Sequence, residues 1–476
     1  MMMKKPPLYL VIDQGGQSSR ALVFNKEGDI LTQGSHPIKT IRNGPDKVEH
    51  VADEILSSIH ASIDLCLDGI DPELIESIGL ACQRSSIVCW DKTSGSALSP
   101  VLSWQDRRAG ESLDKLSAQA EIIHSSTGLF LSPHYGASKL RWCLEHLPAV
   151  NTAREEGRLA FGPLSSFILF NLLEEHPFLV DPVCASRTLL WNLGTRDWDQ
   201  MLLDLFKIPL SCLPHCVPNQ FAYGHMKIAS CAIPLKVSTG DQPAALFMSG
   251  PPDKDTIYIN IGTGAFLQSV VNIKALITPT LLSSVVWQSD NDINYVLEGT
   301  VNGAASALQQ IGEELSVSQL EMHELLSDGL RIVKTPPLFL NGVSGVGSPF
   351  WLPDLKSEFI GEGNKTEKLV AVVESIVFLI QANLDEMTKH IDAPKRIVVS
   401  GGLSALDGLC QRLASISGLP LERTENQEAT ARGLAYLLSM SSTFEGVSHS
   451  KFMPGSDLDL EQRYEQWYKY MNQKSD

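Results

Sequence analysis

The sequence predicts an α/β protein, and three observations carry that prediction. Strand-like apolar runs alternate with helical ones along most of the chain. Two strand–glycine-turn–strand segments stand roughly half a chain apart. The length, 476 residues, suits two large domains or three smaller ones, each able to bury its own core.

The first of the two segments opens the chain. Leu8-Tyr9-Leu10-Val11-Ile12-Asp13 is β-rich, Gln14 to Ser19 is a polar glycine turn, and Arg20 to Phe24 is β-rich again. Lys26-Glu27-Gly28-Asp29 is a turn before a short run, Ile30-Leu31. Val51 to Leu67 places apolar residues at helical spacing, and Glu76 to Ala81 reads as the next strand. Lys236 to Thr239 is a strand, Gly240 a turn, and Pro243-Ala244-Ala245 a helix start. Ser249-Gly250-Pro251-Pro252 marks the division into residues 1–248 and 249–476. The second segment follows: Thr256 to Ile261, Gly262-Thr263-Gly264, then Ala265 to Val271. It is either a repeat of the first or a second instance of a common hairpin, and pattern alone does not choose. Leu369 to Met387 predicts a long helix, Arg396 to Ser400 a buried strand, Gly401-Gly402 a tight turn and Asp407 to Ile416 a helix. Ala429 to Met440 is an Ala- and Leu-rich helix whose Gly433 permits close packing. Ser441 to Asp457 looks least structured, and a last helix carries Tyr464, Trp467 and Tyr470.

Composition narrows the function classes. Lys+Arg 38 against Asp+Glu 55 leaves a formal charge of −17. Such a surface repels phosphate backbones and anionic membranes, which argues against nucleic-acid or membrane partners. No segment approaches the roughly 20 apolar residues that span a bilayer. The start carries Lys4 and Lys5 but reads as a first strand rather than a secretion signal, so the expected location is cytoplasmic. Nine cysteines are scattered along the chain. Cys212 and Cys216 with His225 raise a zinc site, but there is no second pair and Pro214 interrupts the spacing. Incidental thiols in a reducing compartment are the better reading.

Several short motifs carry chemistry. Asp13 ends a strand before Gly15, Gly16, Gln17 and Ser18. That pattern can hold a hydrated Mg²⁺ beside backbone amides facing phosphate, or it can be a plain turn. Gly262-Thr263-Gly264 has the same two readings. Asp241 either caps the helix that follows it or serves as a base at a strand end. Trp104 to Arg108 and Cys82 to Ser86 add an aromatic and polar groups; Trp104 as core and Arg107-Arg108 as a solvated face are the plain alternatives. Gly342 to Pro349 is glycine-rich but is not a Gly-x4-Gly-Lys phosphate loop, and no Gly-x-Gly-x-x-Gly dinucleotide fingerprint is present.

Taken in chain order, these pieces resemble the FGGY carbohydrate kinases, and the glycerol kinases among them. The landmarks are Asp13-Gln14-Gly15 with Ser18-Ser19-Arg20-Ala21, Val48-Glu49-His50, Gln83-Arg84 and Trp104-Gln105-Asp106-Arg107-Arg108. Lys139-Leu140-Arg141-Trp142, Ala185-Ser186-Arg187-Thr188, Gly240-Asp241-Gln242, Gly262-Thr263-Gly264, Gly345 to Trp351 and Gly401-Gly402 continue the series. The resemblance runs from about residue 8 to about residue 440. It implies two actin-like (ribonuclease-H-like) domains flanking a catalytic cleft, acceptor and base on residues 1–248 and nucleotide on 249–476. It also implies phosphoryl transfer from MgATP to a primary hydroxyl of a small polyol or ketose, glycerol first. Asp241 would take the hydroxyl proton, and Asp13 with Asp241 would place the metal. Arg84, Ser85, Trp104, His134, Asp241, Gln242 and Phe266 stand at acceptor positions. Gly15, Gln17, Ser18, Arg20, Thr263, Gln309, Gly402 and Leu406 stand at nucleotide positions. Family members are often dimers or tetramers, but no interface is readable in this chain.

The chain departs from the glycerol kinases at both ends of the cleft. Ser85 stands where they carry Glu, and His134 where they carry Tyr. Gly16-Gln17 replaces two Thr, Ala305 a Gly, and Leu406 an Asn. A hydrogen bond to a charged group contributes about 1.5–3 kcal/mol, so the loss at position 85 predicts glycerol binding about tenfold to a hundredfold weaker, or room for a longer polyol. A pentitol, ribulose or xylulose kinase is the alternative enzyme. A catalytically weak nucleotide- or sugar-binding relative is the alternative class. An actin-like filament or chaperone protein has no use for Trp104 to Arg108.

Overall fold

The computed structural model describes residues 6–272, 276–290, 292–424, 428–441, 443–444 and 449–475. Its opening hairpin is β1 (Leu8–Gln14) and β2 (Ser18–Phe24), antiparallel, with Asp13 opposite Arg20. β3 (Ile30–Pro37) pairs with β2, and β4 (Ile75–Cys82) lies parallel to β1. β5 (Gln220–Ile228) and β6 (Cys231–Gly240) complete a six-stranded sheet in the order β5-β6-β4-β1-β2-β3. Every residue of β1 is buried, because both faces of this strand are covered. Leu8, Leu10 and Ile12 share a core with Ile55, Ile59 and Ile63 of the helix Ala52–Cys66. Val11 packs the other way, into a cluster with Ala431 and Leu434 of the helix Ala429–Ser439.

The second sheet repeats the plan. β7 (Thr256–Ile261) and β8 (Ala265–Asn272) form its hairpin, followed by β9 (Leu282–Gln288) and β10 (Ile293–Val301). β11 (Arg396–Ser400), β12 (Leu421–Thr424) and β13 (His449–Phe452) extend it in the order β9-β10-β8-β7-β11-β12-β13. In both sheets a third strand runs antiparallel on the outer side of the hairpin, and two strands run parallel on its inner side. The sequence echo is therefore a repeat of topology, not two unrelated glycine turns. The architecture is the two-domain actin-like fold.

Two elements differ from the sequence pattern. The helix expected from Leu369 begins at Lys365, because Asn364 and Glu367 form a reciprocal capping box upstream of the apolar face. Within the stretch expected to lack structure, His449–Phe452 adds an edge strand to β12. A four-residue polar edge strand has too little alternation to announce itself. Residues 442 and 445–448 of that stretch lie outside the described residues.

The helix Ala429–Ser439 belongs to the second half of the sequence but packs on the first sheet. Gly433 makes this possible: a Cβ there would lie 1.8 Å from the carbonyl oxygen of Ala244. A small antiparallel sheet of Ile41–Arg42, Val48–His50, Val101–Leu102, Ile87–Asp91 and Leu159–Pro163 sits beside the first sheet. With the helix Gly136–His146 it carries the segments of Ser85, Trp104 and His134. Among the described residues, no helix is long and apolar enough to cross a membrane.

Candidate active site

A cleft of about 820 Å³ opens where β6 ends and the second sheet faces it. Asp241, Gln242, Phe266 and Gln268 line one end. Asn260, Ser400, Gly401, Gly402, Ser404 and Ala405 line the other, with Arg423 and Thr430 beside them.

Asp241 is the first residue of a short helical turn, Asp241–Ala245, and Gly240 takes the capping position instead. Burial pushes its carboxyl up to about 6; Arg84 opposes the rise and Asp13 adds to it. Asp13 is 3% exposed, and burial raises its pKa too, against the pull of Arg20. Two strand ends of one sheet thus bring two carboxylates into each other's field. Arg20 pairs with Asp13 and, at 2.5 Å, with Glu428. Among the described residues, no three His, Cys, Asp or Glu side chains gather to hold a metal. Asp13 and Asp241 nevertheless fit a divalent ion of the Mg²⁺ type, a hard cation that uses one or two carboxylates and completes its shell with phosphate and water. Their mutual repulsion is what a cation between them would relieve.

Arg84 donates to the cleft-lining Gln242 at Oε1, 2.5 Å away, and reaches Glu298 Oε1 at 3.3 Å, while Arg84 itself, Ser85, Trp104 and His134 are not among the cleft-lining residues. The Arg84 stem passes over Gly240, where a Cβ would sit 2.7 Å from Arg84 Cγ and Cδ. Ser85 adopts the left-handed region at φ 62°, a strained conformation for a non-glycine residue. Trp104 is 40% exposed, its backbone N–H donating to Ser86 Oγ at 2.9 Å. His134 shares a hydrogen bond with Ser132 Oγ at 2.8 Å, and burial, Lys139 and Arg107 push its pKa down to about 4, so the ring is neutral at pH 7. Tyr135 beside it is buried, with the Arg187 guanidinium 5.4 Å from its ring centroid.

On the nucleotide side the predicted residues disperse. Gly402 lines the cleft, with open space where a side chain would stand. Gly15 closes the first hairpin by donating to the Ser18 carbonyl, and Gln17 is exposed at the turn. Thr263 is exposed at the second hairpin, its carbonyl taking bonds from Ala304 N and Ser306. Gln309 hydrogen-bonds Glu313 along its own helix, and Leu406 packs on the second core; neither is among the cleft-lining residues.

Three charged residues matter more here than their sequence context suggested. Glu298, on β10, pairs with Arg84 and with Arg187 at 2.8 Å, and accepts from Ser284 and Gln268. Burial opposes its ionisation, yet Arg187 and Arg84 hold it down at about 2. Its signal was present: it is the charged residue in the apolar run Ile293–Val301. Arg423 enters the nucleotide end, held by Ser404 O at 3.0 Å and Asp407 at 2.7 Å. Lys139 lies fully buried beneath the acceptor end, its pKa lowered to about 7 by burial, against the pull of Asp106.

Residues 8–247 match the N-terminal domain of the FGGY family of carbohydrate kinases, and residues 257–442 match its C-terminal domain. A glycerol kinase of Limosilactobacillus reuteri is 30% identical over 461 residues, covering 93% of this chain and 91% of its own. The structure of Plasmodium falciparum glycerol kinase with ADP superposes with a TM-score of 0.88 at 23% identity, covering 99% of this chain and 98% of that one. A xylulose kinase of Rhodospirillum rubrum superposes at 0.86 and 17% identity, with 98% of each chain covered. The chain belongs to the FGGY family of carbohydrate kinases, phosphotransferases with an alcohol group as acceptor.

Proposed function

We propose that the chain transfers the terminal phosphoryl group of MgATP to a primary hydroxyl of a small polyol or sugar, most readily glycerol, giving glycerol 3-phosphate. The observation that supports this reading is Asp241: a carboxylate at a strand end, inside the cleft, whose pKa of about 6 leaves it ionised at pH 7 and basic enough to accept a proton. In this reading Asp241 takes the proton from the attacking hydroxyl. Arg84 and Gln242, bonded to each other, orient the acceptor beside it. Trp104 and Phe266 give the carbon chain apolar walls and exclude water, which would otherwise accept the phosphoryl group. The amides of the Gly15 and Thr263 hairpins, with Arg20, face the phosphates, and Gly402 leaves room for the nucleoside. Asp13 and Asp241 would hold Mg²⁺, which neutralises developing phosphate charge when bound. Arg20 must then share or release Asp13, since the two are paired in the free cleft.

Ser85 and His134 favour a second reading of the acceptor. Ser85 is a short neutral hydroxyl where the resemblance places a Glu carboxylate, and His134 stands where it places a Tyr, so a four- or five-carbon polyol or ketose would fill the space. The experiment is acceptor-dependent ADP release with MgATP and a panel of glycerol, erythritol, pentitols, ribulose and xylulose. Turnover on one acceptor, absent in Asp241→Ala, supports the kinase and names its substrate. Nucleotide binding with no turnover on any of them replaces it with a binding protein.

A further inference from the structure

Lys139 touches neither substrate in the reading above, yet it sits where three acceptor-side segments meet. Its Nζ donates to the backbone carbonyls of Ser103 at 2.7 Å, His134 at 2.8 Å and Ser85 at 3.1 Å. These belong to three separate loops. Ser85 follows β4 at φ 62°, Ser103 immediately precedes Trp104, and His134 leads into the helix Gly136–His146 that carries Lys139 itself. An ammonium has three N–H donors and no acceptor, so three carbonyls use its whole capacity.

Stability alone is a poor account of this residue. A buried charge is costly unless an opposite charge compensates it, and none of these three partners is charged. The carboxylate of Asp106, which acts on Lys139 through space, is bonded to Arg108 and to the Val48 N–H. Lys139 also lies in the first turn of its helix, where the backbone dipole disfavours a cation. A methionine would fill the same volume without these costs. What it could not do is hold three backbones at fixed separations.

We propose that Lys139 is a positioning residue for the acceptor pocket: by tying the Ser85, Ser103 and His134 carbonyls to one ammonium, it sets the spacing of Ser85, Trp104 and His134 around the acceptor. The proposal rests on the reading that those three residues line that pocket. It requires Lys139 to act on acceptor binding and not on the nucleotide.

The test compares wild type with Lys139→Met, which removes all three donors, and Lys139→Gln, which retains two. KM is measured separately for MgATP and for the best acceptor of the panel. The expected result is an acceptor KM raised about tenfold or more in Lys139→Met and less in Lys139→Gln, with the MgATP KM unchanged within about twofold. A folded Lys139→Met enzyme with unaltered acceptor KM, or with both KM values raised alike, overturns the proposal. Failure of both variants to fold overturns it too, because the lysine is then structural. Absence of turnover by wild type on every acceptor instead removes the reading on which the proposal stands.

Discussion

Glu298 and Arg84 meet across the two halves of the chain: a carboxylate on the second sheet lies 3.3 Å from a guanidinium at the end of the first, with Arg187 on the same carboxylate at 2.8 Å. Both sheets therefore contribute to one buried charge cluster beside Gln242. Glu298 also accepts from Gln268 at 3.3 Å and from Ser284 at 2.9 Å. Replacing it with Gln leaves two buried guanidinium groups without the carboxylate they share. Removing one partner of a buried pair costs about 3–5 kcal/mol, so Glu298→Gln should lower the thermal midpoint clearly. Arg84, having lost its carboxylate partner and keeping Gln242, should also raise the acceptor KM while the MgATP KM stays near wild type. Calorimetry and two-substrate kinetics on the same preparation check both outcomes.

In its proposed role as base, Asp241 should make activity and stability respond to pH in opposite directions. As a base it works ionised, so kcat/KM should fall as pH drops through about 6. Its folded pKa lies above its ordinary value of 3.8, so the folded state binds more protons than the unfolded state between those values. Stability therefore falls as pH rises through that window, and the ionised carboxylate is a burden at neutral pH. Asp241 lines an open cleft, so solvent reduces the effect to about 1 kcal/mol. Asp241→Asn should be inactive yet melt higher than wild type at pH 8, with the difference shrinking below about pH 4. An Asn variant that melts lower at pH 8 would contradict the assignment of strain to this carboxylate.

The metal expectation separates from the base. Asp13→Asn removes one of the two carboxylates offered to the cation and one partner of Arg20, while Asp241 remains. Turnover should fall by about a hundredfold or more, and the residual activity should need a higher Mg²⁺ concentration than wild type. EDTA should abolish wild-type turnover, and added Mg²⁺ should restore it. A variant with unchanged Mg²⁺ dependence would place the cation elsewhere.

The positions of Asp13, Asp241 and Gly402 are legible in the sequence because their signals are local. Asp13 and Gly402 follow short continuous apolar strand runs, and Asp241 follows a strand that ends in a glycine turn, so strand runs bounded by turn residues find them. Glu298 is different. It matters because β10 pairs with β8 in a register that puts it opposite Gln268, and because β10 then faces Arg84 from the other half of the chain. Neither relationship is encoded within ten residues of it. Lys139 is the same case: three carbonyls from three loops converge on one side chain, and main-chain acceptors leave no mark in a sequence. The helix Ala429–Ser439 was recognised as a helix, but its crossing to the first sheet depends on Gly433 meeting Ala244, a contact between distant segments.

In the proposed reading, Ser85 selects the acceptor. Its hydroxyl replaces the carboxylate that a glycerol kinase presents, and its backbone is already fixed by φ 62° and by the bond from Lys139 to its carbonyl. A longer side chain at this position therefore starts from a held Cα. Ser85→Glu should raise kcat/KM for glycerol by about tenfold to a hundredfold if the pocket is a weakened glycerol site, the contribution of one charge-assisted bond. It should do so through KM rather than kcat, since the bond forms to hydroxyls that do not react. If wild type instead prefers a pentitol or ketose, the same substitution should suppress that activity, because the carboxylate fills the space the longer chain needs. Steady-state kinetics of both proteins on glycerol, xylulose and ribulose distinguish the two, and no change on any acceptor would remove position 85 from the pocket.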